Sequence, residues 1–127
     1  AEKDSRAVLD GPYYDSQKPI RIDMQKPMTI SHELFDNDAV IFETGGTRFT
    51  ATLTDPINNH GVHVHTLGTQ HVGVWSPYPT KANLVCVEPW LGIADNVNAD
   101  GKLLHKQGMH RLAPQDNAKY EFSIQPF

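Results

Sequence analysis

Strand-length apolar runs, broken by a turn signal about every ten residues, constrain this chain more than any other feature of its sequence. Val62-His63-Val64-His65-Thr66 alternates strictly, which puts the valines on one face of a strand and the histidines on the other. Arg48–Thr54 alternates in the same way, and Ala39–Phe42, Val72–Trp75 and Tyr120–Ile124 are further short runs. The adjacent glycines in Thr44-Gly45-Gly46-Thr47 supply positive φ cheaply and predict a hairpin, and Asp55-Pro56 with Asn58–Gly61 predicts a second turn. Only Ser31–Asn37 reads as helical, a single turn with Leu34 and Phe35 as its buried residues. Ala1–Asp23 is polar and interrupted by Gly11-Pro12 and Lys18-Pro19, so it reads as a connection with one short strand at Ile20–Ile22. Six or seven short strands with almost no helix make the expected fold all-β, an antiparallel sandwich or barrel.

Leu84-Val85-Cys86-Val87 is different in kind. It is continuously apolar, as in a strand covered on both faces. Pro89 lacks an N–H and fixes its φ, so the strand is expected to stop near Glu88. Glu88 would then be a partly shielded carboxylate at a sheet end beside Trp90, where it needs either a polar partner or a chemical role.

The 127 residues suffice for one domain, and the net charge of −4, from 15 acidic and 11 basic residues, comes with no basic stripe. Neither a nucleic-acid footprint nor a basic membrane-binding face is therefore expected. No apolar stretch is long enough to span a bilayer. No charged-then-apolar leader opens the chain, and Cys86 is its single cysteine, which excludes a disulfide framework and fits a reducing cytoplasm.

Several side chains invite chemistry, each with a plainer reading beside it. His60, His63, His65 and His71 could gather round a metal, but alternation alone puts polar residues on the solvent face of a half-buried strand. Cys86 could be a nucleophile, yet a cysteine flanked by valines is ordinarily inert core. Asp36 and Asp38 either shape the turn before Val40 or reach a polar ligand. Trp75 and Trp90, each at a strand end beside a proline, could pack on the C–H face of a sugar or simply on the core. Glu88 could pair with an arginine, or act as a base held by a polar neighbour.

The string Leu84-Val85-Cys86-Val87-Glu88-Pro89-Trp90-Leu91-Gly92-Ile93-Ala94-Asp95 resembles the C-terminal signature of the aldose 1-epimerase (galactose mutarotase) family, in particular a LacX-like bacterial subgroup. Glu33–Phe42, Gly73–Pro77, Lys106–Met109 and Leu112–Pro114 agree with that subgroup in the same order and spacing. The resemblance runs from about Ile30 to the end. It implies a galactose mutarotase-like supersandwich and interconversion of the α and β anomers of a free hexose, without metal or cofactor. It also implies that Glu88 is the base and that Asp38, rather than Asp36, holds sugar hydroxyls; on the chemistry of their rings, Trp75 and Trp90 stand beside them as candidate sugar-binding residues. The family's acid is a histidine in a His-Pro motif of the N-terminal half, and no His-Pro occurs here. Residues 1–127 are thus expected to be the C-terminal part of one sandwich domain, with a hexose and the N-terminal part of the same protein as partners. A sugar-binding sandwich without catalysis is the alternative. No arginine cluster is present to hold a phosphate.

Overall fold

The structure is a computed structural model that describes residues 5–10, 13–21, 23 and 26–127. Among the described residues eight strands form two antiparallel sheets. Strands β1 (Ser5–Asp10), β2 (Tyr13–Arg21), β3 (Val40–Glu43), β6 (His71–Trp75) and β7 (Cys86–Trp90) form a five-stranded sheet in the order β2-β1-β3-β6-β7. Strands β4 (Phe49–Asp55), β5 (His60–Leu67) and β8 (Glu121–Pro126) form a three-stranded sheet in that order. Among the described residues the helical content is two short 3-10 turns, His32–Phe35 and Leu103–His105. The expected all-β antiparallel sandwich architecture is thus present.

Each face of the larger sheet carries its own core. In register, Val40 faces Val74, which faces Val87. These residues share one face with Phe42, and the 3-10 turn lays Phe35 on it, 1% exposed, with Ile30 and Leu34 packed alongside. Phe49 at the start of β4 joins this cluster, its ring 6.4 Å from that of Phe42, and so links the two sheets. On the opposite face Ile41 packs with Tyr14, Ala39 and Ile93, flanked by Trp75, Trp90 and Ala94. Ile93 belongs to the loop after β7. That loop is pinned to β2 by hydrogen bonds from the Tyr14 N–H to the Asp95 carbonyl (2.8 Å) and from the Val97 N–H to the Tyr14 carbonyl (2.9 Å).

Three local expectations are corrected. The N-terminal segment is not an irregular connection: β1 and β2 pair as a hairpin whose bulge between Arg6 and Val8 breaks the alternation that would have marked it. Ile22 lies outside the described residues. The Gly45-Gly46 turn is not a hairpin either, because β3 pairs with β1 and β6 while β4 pairs with β5. Both glycines do take positive φ (62° and 74°), but they carry the chain from one sheet to the other. Leu67–Gln70 carries it back, and the crossings are joined by hydrogen bonds from the Gly68 N–H to the Gly46 carbonyl, from the Thr44 N–H to the Gln70 carbonyl and from the Thr44 hydroxyl to the Thr69 carbonyl. Finally, the apolar strand is displaced. Leu84 is half exposed, pairing begins at Cys86, and it continues through Pro89 to Trp90. Among the described residues β7 is an outer strand, where a proline costs no inward ladder bond, and its side chains are half-buried rather than covered on both faces.

Truncating Phe35 to alanine should cost about 3–5 kcal/mol of unfolding free energy, because a large ring leaves a cavity among Val40, Phe42 and Val74. Ile57→Ala, at an exposed turn position, should stay within about 0.5 kcal/mol. Urea unfolding of the two variants checks both values.

Candidate functional site

Across antiparallel strands, residues that pair in register project from the same face. Ile41, Gly73 and Glu88 therefore form one row across β3, β6 and β7, and Glu43, His71 and Trp90 form the next. This face carries Glu43, His71 and Glu88.

Glu88 is half-buried and accepts a hydrogen bond from the Trp90 indole Nε1–H at 3.0 Å. The two residues are separated by one position on β7, so they emerge on the same side, and the indole then leans across β6. A Cβ placed on Gly73 would lie 2.7 Å from Trp90 Cζ2 and 3.0 Å from Cε2. Gly73 is thus the gap into which the ring settles, and the settled ring aims its N–H at the carboxylate. Trp90 both shields Glu88 and fixes its orientation.

The neighbouring row is more deeply enclosed. His71 is 3% exposed, and its Nδ1 is buried without a hydrogen-bond partner among the described residues. Burial lowers its pKa below the ordinary 6.5, against the opposing pull of the Glu43 charge, so the ring is held neutral. The Tyr14 hydroxyl donates to Glu43 Oε1 at 3.4 Å. Burial and the Glu43 carboxylate raise the Tyr14 pKa, while a hydrogen bond with the Gln107 side chain opposes that rise, so the phenol stays protonated. Glu43, Gly45, Gln70, His71, Gln107 and Gly108 line a cavity of about 200 Å³. Gly108 has φ +79°, and a side chain there would lie 2.9 Å from the Leu91 carbonyl oxygen, so the loop that brings Gln107 to the cavity passes tightly against the end of β7.

The other candidates lie apart from Glu88. Asp38 is exposed, has φ 70° and accepts the Ala39 N–H at 2.7 Å, which is how an aspartate stabilises a left-handed turn. Its own N–H closes the 3-10 turn on the Phe35 carbonyl. It lies three positions before Ile41, just outside β3 and roughly 10 Å from the Glu88 row at strand rise, at the end of the sheet where β6 finishes with Trp75. Trp75, half-buried, packs against the Tyr14–Ile41–Ile93 cluster and pairs with the half-buried Cys86. Asp36 is exposed, and its N–H bonds the Glu33 carbonyl.

The four histidines do not converge. His63 and His65 lie on the polar face of β5, where their Nδ1 atoms meet the Thr52 and Thr50 hydroxyls, each at 2.9 Å. That is the solvent-face placement expected from alternation. His60 sits at the exposed start of β5, 3.9 Å from Asp55. His71 was expected on an exposed face and is instead buried, because β6 is flanked by β3 and β7 and covered on both sides. Among the described residues no three His, Cys, Asp or Glu side chains are placed to hold a metal ion. Sequence reasoning overlooked Tyr14, Glu43 and Gln107. The signal that marks Glu88, a charged residue closing an apolar strand, also marks Glu43 after Val40-Ile41-Phe42.

No protein-family model matches the chain, and no curated protein does. Among solved structures it is similar to a galactose mutarotase related enzyme from Lactobacillus acidophilus, with 34% identity and a TM-score of 0.86 over 98% of this chain. The match takes in 42% of that enzyme, so this chain spans less than half of its length. The resemblance read from the sequence is therefore present in three dimensions, and the fold is that of a galactose mutarotase-like β-sandwich fragment.

Gly73→Ala should displace the indole, cost about 1–3 kcal/mol of stability through overpacking and move the Trp90 Nε1–H resonance in proton NMR. The depressed His71 pKa fixes the sign of a pH effect. Below 6.5 the unfolded chain binds a proton that the folded chain refuses, so stability should be full above 6.5 and fall as pH drops beneath it. Urea midpoints measured on both sides of that pH should show the fall in the parent protein and a smaller one in His71→Gln.

Proposed function

We propose that this chain supplies the base-bearing part of an aldose 1-epimerase-like enzyme acting on a free hexose. The observation that carries this reading is the Trp90-held, half-buried Glu88, set in a fold that matches part of a galactose mutarotase related enzyme. Glu88 removes the proton from the anomeric O1 hydroxyl as an acid protonates the ring oxygen. The C1–O5 bond breaks, the O1 oxygen becomes an aldehyde carbonyl, and rotation about C1–C2 exposes either face. Reversal of both proton transfers closes the ring as either anomer, with no net change in atoms or charge. A base and an acid suffice for this chemistry.

The acid is assigned to a histidine of the remaining part of the protein, since none of the seven histidines here stands in a His-Pro motif. Asp38 holds sugar hydroxyls from the far end of β3, and the indole faces of Trp75 and Trp90 accept the C–H face of the ring. The same remaining part covers strand β8, where Phe122 and Ile124 are more than half exposed beside the buried Thr66 and Val64. Among the described residues no helix is long and apolar enough to cross a membrane. With one unpaired cysteine the chain suits the cytoplasm.

Polarimetry of glucose and galactose mutarotation with the full-length protein is the test. Glu88→Gln should slow the reaction by about 10²–10⁴-fold. Trp90→Phe, which keeps an aromatic ring and removes the indole N–H, should lower kcat by a smaller factor. Equal rates for the parent protein and Glu88→Gln would refute the assignment.

A further inference from the structure

The polar face of the smaller sheet carries a pair of side chains that the hexose chemistry does not use. His63 and His65 alternate along β5 and so leave the sheet on one side, their ring centroids 5.8 Å apart and their planes 33° from parallel. Each ring is already held at one nitrogen. The Thr52 hydroxyl meets His63 Nδ1 and the Thr50 hydroxyl meets His65 Nδ1, both at 2.9 Å across the β4–β5 ladder. The Phe127 ring lies over Gly61, where an added Cβ would come within 2.7 Å of it, and stacks on His63 at a centroid distance of 4.5 Å. We infer that His63 and His65 form a surface metal site, in which both Nε2 atoms bind one divalent transition-metal ion and water completes its coordination.

The geometry fits that ligand set. Two imidazoles that share an ion through Nε2, each at about 2.1 Å, have ring centroids roughly 5–6 Å apart. The observed 5.8 Å falls in that range, so the strand spacing alone brings the rings to chelating distance. The threonines suit the required tautomer. A hydroxyl that accepts from Nδ1–H leaves the lone pair on Nε2, and a histidine that ligates a metal ordinarily has its other nitrogen engaged in this way. Among the described residues neither Nε2 has a hydrogen-bond partner of its own. The cross-strand neighbours are Thr52 and Gln125 beside His63, and Thr50 and Ser123 beside His65. None of them is charged, so no cation stands against the ion, and the Gln125 amide and Ser123 hydroxyl share the face with its waters. Because the strand fixes the second imidazole beside the first, the second bond forms intramolecularly, and two ligands hold an ion that one would release. Imidazole nitrogen selects copper(II), nickel(II) or zinc(II) over magnesium and calcium, with copper(II) the tightest. His60 and His71 take no part, since His60 stands by Asp55 at the exposed start of β5 and His71 is buried in the other sheet.

The test titrates zinc(II) and, separately, copper(II) into the full-length protein by calorimetry, with the ring resonances of ¹⁵N-labelled histidine followed by NMR in the zinc(II) titration. Zinc(II) should shift the Nε2 resonances of His63 and His65 together and saturably, and magnesium should leave both in place. Binding of either ion should weaken by at least about tenfold in His63→Gln and in His65→Gln. Thr50→Val combined with Thr52→Val keeps both imidazoles and removes the hydroxyls that orient them, and it should weaken binding by about 10–100-fold. An affinity unchanged in the two histidine variants would overturn the proposal, as would a zinc(II) shift confined to one of the two rings or an equal response to magnesium. The ring shifts of the parent protein and the threonine variant decide the matter even where a histidine substitution impairs folding. The outcome is independent of the base assignment, because Glu88 lies on the other sheet and Glu88→Gln should bind zinc(II) as the parent does.

Discussion

The backbone of Gln70 is the point on which the rest of this structure depends. Its carbonyl accepts the Thr44 N–H at 3.0 Å, and its own N–H reaches the Trp90 carbonyl at 3.1 Å. The backbone of one residue thereby ties the ends of β3, β6 and β7 together where the chain passes between the sheets. Buried backbone groups must find partners, and at a crossover neither sheet ladder can provide them. The Gln70 bonds, together with that from the Thr44 hydroxyl to the Thr69 carbonyl, meet the need. They also fix the row that holds Glu43, His71 and Trp90. Through the Trp90 indole, that row sets the orientation of Glu88.

Strand β7 shows how one short segment serves packing and chemistry together. Val87 points into the cluster built on Phe35, Val40 and Phe42, while Glu88 points to the opposite face. Trp90, two residues on, returns to the side of Glu88 and closes over Gly73. The separation by period-two alternation means that the carboxylate adds no charge to the Phe35 core. A shift of register by one residue would exchange these duties, so the many apolar contacts of Val87 and Val85 hold Glu88 in place.

Much of this was legible in the sequence, and the rest was hidden for identifiable reasons. The alternation in β4 and β5, the turn at Asp55–Gly61 and the buried Phe35 follow from local patterns, and they stand where those patterns put them. Glu88 and Trp90 could be singled out because a charge and a large ring interrupt an apolar run. Their hydrogen bond could not be foreseen, since it depends on Gly73 from a neighbouring strand. The burial of His71 depends in the same way on β3 and β7 flanking β6, a fact of strand order with no local trace. The Gly45-Gly46 turn was read correctly in conformation and wrongly in connectivity, because positive φ at two glycines permits a reversal without saying which strand comes next.

Pro89 has a consequence beyond its own strand. It lies within the paired length of β7, opposite Val72, on a strand that forms one margin of the larger sheet among the described residues. A sheet margin with a full set of amides is a template on which another chain can add, and that is a route to aggregation. The missing proline amide leaves a gap in that template immediately beside Glu88. The residue that interrupts the apolar run in the sequence thus acts as a gatekeeper, keeping the flank of the carboxylate from being covered by a stray strand.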